Sequence, residues 1–140
     1  MAPARRTFRE TIATGILVGL VAVVAAHLYR SLYLLAGGTS FAEINVVTTT
    51  LAAFVPTFLA ALVYAPLVGR VRWARAAFTA GVLAFTALSL VPLFVAPLHP
   101  GFAAMSAPLH AIVGVLVAFG IPWHHARGPP SLARAAELAA

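Results

Sequence analysis

The chain has 140 residues, 62% of them hydrophobic and 9% charged, with a mean hydropathy of +1.00. A soluble domain carries about a quarter of its residues as charges, so a water-compatible surface is excluded, and the net charge of +6 reads as membrane orientation instead of a nucleic-acid surface. The absence of cysteine excludes disulfides, thiol catalysis and cysteine-held metal clusters.

Arg5, Arg6 and Arg9 precede a long apolar run, as in a secretory or twin-arginine leader. The run from Thr11 to Leu35 is nevertheless long enough to cross a hydrocarbon core, which takes about 20 residues at roughly 1.5 Å each. It is read as a retained first span. Gly15, Gly19, Ala22, Ala26 and Tyr33 share one face, suited to close helix packing in lipid. His27 and Arg30 sit at its far end. Ala36-Gly37-Gly38-Thr39 is a turn, and Ser40 with Glu43 reads as a capping box opening the second span.

That span runs over about 44–68, with a kink expected at Pro56. Thr48, Thr49 and Thr50 are expected to bond back to their own helix. Gly69-Arg70-Val71-Arg72 breaks the pattern, and the third span covers about 73–96. Pro97-Leu98-His99-Pro100-Gly101 is the next turn, and the fourth span covers about 102–123. Spans two to four also carry small-residue faces: Asn45, Thr49, Ala53, Pro56 and Ala60; Ala77, Gly81, Ala84 and Leu88; Ala103, Ala107, His110 and Gly114. Short links make consecutive spans antiparallel, with these faces inward.

The predicted fold is therefore all-α: a four-transmembrane-helix, up-down-up-down bundle over residues 1–126, followed by a short tail over 127–140. Arg5, Arg6, Arg9, Arg70, Arg72, Arg75, Arg127 and Arg134 all fall on one side of such a chain. The positive-inside rule then puts both termini in the cytoplasm, and the chain in the cell (inner) membrane.

Ionisable groups within a membrane are costly and mark sites. His27, Arg30, Tyr33, Asn45 and His110 are the candidate lining of an outward pocket, where Arg30 would favour an anionic head. The alternatives are that Arg30 snorkels to headgroups or pairs with Glu43, and that His110 satisfies a neighbouring helix. No HExxH, phosphate loop or GxSxG serine is present, no aspartate exists to complete a triad, and no metal site is predicted.

The leading reading is a non-catalytic accessory, assembly or ligand-binding subunit of a membrane complex, in contact with lipid and with other subunits or its own copies through small-residue faces. No cofactor is predicted. The alternatives are a haem- or chlorophyll-type pigment carrier using His27 and His110, a small transporter or channel entered at the outer polar cluster, and a lipid-headgroup enzyme needing His110 and Arg30 at a common point.

The arginine-rich start, the stretch RVRWARAAFTAGVLAFTALSLVPLF and the fourth-span PLHAIVGVLVAFGIP together resemble a family of uncharacterised small bacterial four-helix membrane proteins. The resemblance implies four spans and a shared His110 region.

Overall fold

A computed structural model describes residues 8–68, 70–96 and 98–127. Arg5, Arg6, Arg134 and the tail beyond Arg127 lie outside the described residues. The described chain is all-helical: α1 (Phe8–Leu35), α2 (Val46–Val68), α3 (Ala74–Val95), α4 (Phe102–Val115) and α5 (Ile121–Arg127), the last two joined by a π-helical stretch, Leu116–Gly120. Four helical segments are long and apolar enough to cross a membrane: Arg9–Leu35, Val46–Val68, Ala74–Val95 and Phe102–Ala126. Such a chain is suited to lipid on its outside, and side chains such as Leu20, Leu51, Phe85 and Phe94 are exposed there.

α1 ends because Gly37 takes φ +85°, letting the Gly38 amide reach back to the Tyr33 carbonyl and the Gly37 amide to that of Leu34. The next cap corrects the sequence expectation. Asn45, not Ser40, opens α2: its Oδ1 accepts from the Val47 and Thr48 amides, while Thr48 Oγ1 accepts from the Asn45 amide. The box is reciprocal, with Asn45 and Thr48 in the roles expected of Ser40 and Glu43. Glu43 lies in the turn before the helix.

Prolines sit inside three of the spans without ending them. Each lacks the amide that its i−4 carbonyl would receive. Two of those carbonyls are served from another helix. Tyr29 of α1 donates its hydroxyl to the Ala104 carbonyl, which Pro108 leaves open, at 2.9 Å. Thr79 of α3 donates to the Ala118 carbonyl, which Pro122 leaves open, also at 2.9 Å. The π-helical stretch lies immediately before Pro122, a common setting for such a bulge.

α1 and α2 pack along their whole length. A Cβ on Gly15 would stand 3.0 Å from the Phe58 ring and 3.1 Å from Ala61 Cβ; one on Gly19 would stand 2.8 Å from Phe54. Ala22, Ala26 and Ala53 are buried together above these glycines. α4 packs on α1 and on α3, where Gly114 lies directly beneath Thr86 with no room for a Cβ. α3 is the least embedded span, 6% of its apolar window being buried. Its expected inward face is not one: Gly81 and Ala84 are exposed and Leu88 is 68% exposed, while Phe78, Thr79 and Thr86 make the contacts.

At one end of the bundle, Tyr64 joins Phe78 (ring centroids 4.7 Å apart) and His125 (5.3 Å, edge-on) above a cluster with Val18, Val117 and Ile121. At the other end the two remaining links meet, Phe41 packing edge-on against Phe102 at 5.2 Å and His99 at 5.7 Å.

Candidate functional site

α2 and α3 touch at Tyr64 and Phe78 and splay apart from there. The gap is a slot of about 900 Å³, with α2 and α3 as walls and α4 as floor. On α3 it reaches from Ala77 to Ser89, about 18 Å by helix rise. At the Tyr64 end it extends along α2 to Leu67, passing the Tyr64–Phe78 ring pair. Ala60, Val63, Gly81, Phe85 and Val113 make most of it apolar.

Its polar groups gather toward the Phe41 end: Glu43, Thr48, Thr49, Thr86, Ser89, Ser106 and His110. Most of the hydroxyls are engaged by nearby backbone. Thr48 Oγ1 donates toward the Glu43 carbonyl at 2.6 Å, Thr86 Oγ1 to Val82 at 2.8 Å and Ser89 Oγ to Thr86 at 2.7 Å. Thr49 differs. Its side chain is 6% exposed, and Oγ1 is buried with no hydrogen-bond partner. One turn on, Pro56 withholds an amide from the Ala52 carbonyl, and both residues line the slot. Among the described residues no side chain replaces that donor. Across the slot His110 Nδ1 lies 3.0 Å from the Ser106 carbonyl. A carbonyl only accepts, so Nδ1 carries a proton.

Of the five residues that the sequence nominates, His110 alone lines the slot. His27 Nε2 donates to Thr50 Oγ1 at 2.9 Å, because the threonine proton is already given to the Val46 carbonyl. Arg30 Nε donates to the Ile44 carbonyl at 2.9 Å rather than to Glu43, which ties α1 to the start of α2. Tyr33 reaches the Gly101 carbonyl at 3.5 Å and stacks, tilted, with Tyr29. Asn45 is the helix cap. The other four hold helix ends and seams together, and the slot lies between α2 and α3. Among the described residues, no three histidine or acidic side chains cluster to hold a metal.

No family model, curated protein or solved structure matches this chain. The slot's own chemistry thus carries the functional argument. The groups that sequence reasoning passed over are Thr49 and the Ala52 carbonyl. Pro56 was the signal for the second, since a mid-span proline frees a carbonyl; for Thr49 it was its place on the face shared by Asn45, Ala53, Pro56 and Ala60, which Thr48 and Thr50 do not share.

Proposed function

We propose that this chain is a non-catalytic, multi-pass protein of the cell (inner) membrane that binds an apolar molecule in the α2–α3 slot, acting as a ligand-binding or accessory subunit of a membrane complex. The slot carries this reading. Its volume of about 900 Å³ is toward the top of the range for small-molecule sites, roughly 300–1,000 Å³, and its walls are those of a hydrocarbon-binding cleft. α3, exposed along nearly all its length, leaves a face available to another subunit or a second copy.

In this proposal the spans run up-down-up-down with both termini cytoplasmic, supported by the arginines at 70, 72 and 75 beside the α2–α3 link and by the lack of arginine in the other two links. The native chain has no cysteine, so single cysteines introduced at the exposed Ser40 and Arg72 report sidedness cleanly. The Ser40 probe is expected to label from outside and the Arg72 probe only after permeabilisation; the reverse pattern overturns the orientation.

Gly81 supplies the test of binding. It lines the slot, and a Cβ there meets nothing within 4 Å. Gly81→Phe is therefore expected to fold and to fill the slot. Native mass spectrometry of the wild-type protein released from membranes should show a retained apolar molecule that this variant lacks. Equal retention by both proteins would refute the slot as a binding site.

A further inference from the structure

Inside a bilayer an apolar groove gains little from exchanging one hydrocarbon for another, because lipid tails are as apolar as the groove. What separates a ligand from bulk lipid is then its head and the charges that the head meets. The slot ends beside such charges. Its lining runs out to Leu67 on α2 and Ala77 on α3, and the link between them carries Arg70 and Arg72, with Arg75 in the first turn of α3. Arg75 is about 3 Å of helix rise from Ala77. It also continues the slot wall. Phe78, Val82 and Ser89 line the slot and follow Arg75 at the spacing of one helix face.

Arg70, Arg72 and Arg75 are all exposed, and the first turn of α3 holds no acid to balance them. Cations there work against the positive end of the helix, so an external anion is favoured. Trp73, 68% exposed, stands among them, and tryptophan settles at the headgroup level of a membrane. From that level the α3 wall runs about 18 Å to Ser89. A leaflet's hydrocarbon is about 15 Å deep, half of a core of about 30 Å. The slot therefore has the depth of one leaflet's acyl chain, with cations at its headgroup end. Its opposite end carries Glu43, the lining's only carboxylate, which repels an anionic head.

Resting on the ligand-binding reading above, we propose that the slot takes an anionic phospholipid. One acyl chain lies along α3 toward Ser89, and the phosphate head sits at the α2–α3 link against Arg75, with Arg70 and Arg72 beside it.

The test uses the full chain, delipidated and placed in nanodiscs of zwitterionic lipid. The probes share a photoreactive acyl chain and differ at the head: phosphatidylglycerol, phosphatidylcholine and diacylglycerol. Labelling is mapped to Val113 of α4, a floor residue packed against the core. One arginine beside an anionic head is worth roughly fivefold in occupancy, so phosphatidylglycerol should outlabel the other two by about that factor or more. Arg75→Gln should remove about fivefold of this preference, and Arg75→Lys should keep it. Arg9→Gln should leave it unchanged, because Arg9 is exposed at the same end of the bundle but belongs to α1, which gives the lining only Ala26. Soluble glycerophosphoglycerol should not compete.

Phosphatidylglycerol labelling no better than phosphatidylcholine, a loss in Arg9→Gln as large as in Arg75→Gln, or competition by the soluble head would overturn this inference while leaving the slot a ligand site. Labelling of Val113 that persists unchanged in Gly81→Phe would remove both.

Discussion

The α1–α2 seam and the α2–α3 seam share one helix and have opposite characters. Along the first, Gly15 and Gly19 let α1 descend onto the stacked rings of Phe54 and Phe58. Polar groups along it are matched, as His27 to Thr50 and Arg30 to the Ile44 carbonyl. Along the second, contact is confined to the Tyr64–Phe78 end, and the remainder is a slot with an unpartnered hydroxyl. Hydrophobicity does not separate the two, since every span is apolar. In lipid, helices associate by close packing and by hydrogen bonds. α2 presents small and polar residues suited to a partner on both sides, but only α1 meets them. A helix face in a membrane stays open when its neighbour is held elsewhere, and here α3 is held by α4 through Thr79 and through Thr86 over Gly114.

The largest contrast is between two glycines. Gly19→Leu would drive a side chain into Phe54, and Gly81→Leu would enter open space. The first is expected to lose about 3 kcal/mol or more, beyond the usual overpacking cost of roughly 1–3 kcal/mol because the obstruction is a ring across a tight seam. The second is expected within about 0.5 kcal/mol of wild type. Unfolding in a detergent–denaturant titration measures both; equal losses would mean that the seams do not differ in packing.

Gly114→Ala comes next. It should cost about 1–3 kcal/mol against Thr86, and Thr86→Ala should recover most of it in the double variant. Additive losses in that cycle would show that Thr86 is not what Gly114 makes room for.

The matched carbonyls give a smaller effect. Tyr29→Phe strands the Ala104 carbonyl and Thr79→Val strands that of Ala118, each at about 1–2 kcal/mol. Adding Pro108→Ala or Pro122→Ala restores an amide, so Tyr29→Phe should become nearly neutral in the first background and Thr79→Val in the second. Undiminished losses there would refute the replacement of proline-removed donors.

The smallest effect is expected at Thr49. Its hydroxyl has no partner to lose, so Thr49→Val should be neutral or stabilising by up to about 1 kcal/mol in the delipidated protein. A clear loss of stability would show that Oγ1 is already satisfied.

Much of this molecule was legible before any coordinates. Run length and composition alone place four spans within a few residues of where they lie, because each must satisfy its backbone internally over a fixed thickness. The glycine–alanine face of α1 was legible for the same local reason: residues three and four apart share a side whatever they meet. The first cap of α2 was misread because Ser40-Phe41-Ala42-Glu43 and Asn45-Val46-Val47-Thr48 both have the spacing of a box, and the register was decided by Thr48 and Arg30 closing on the turn.

The candidate site was the least legible part. His27, Arg30, Tyr33 and Asn45 were chosen as polar residues near one end, and polarity at a span's end serves seams and caps as well as ligands. The sequence by itself determined the solvent, the number of spans and the faces able to pack, since these follow from periodicity and length. Only the tertiary structure decided which faces found partners. That is a competition among helices: α4 binds both α1 and α3, α2 is left with one neighbour along most of its length, and the slot with its unmet Thr49 is what remains between them.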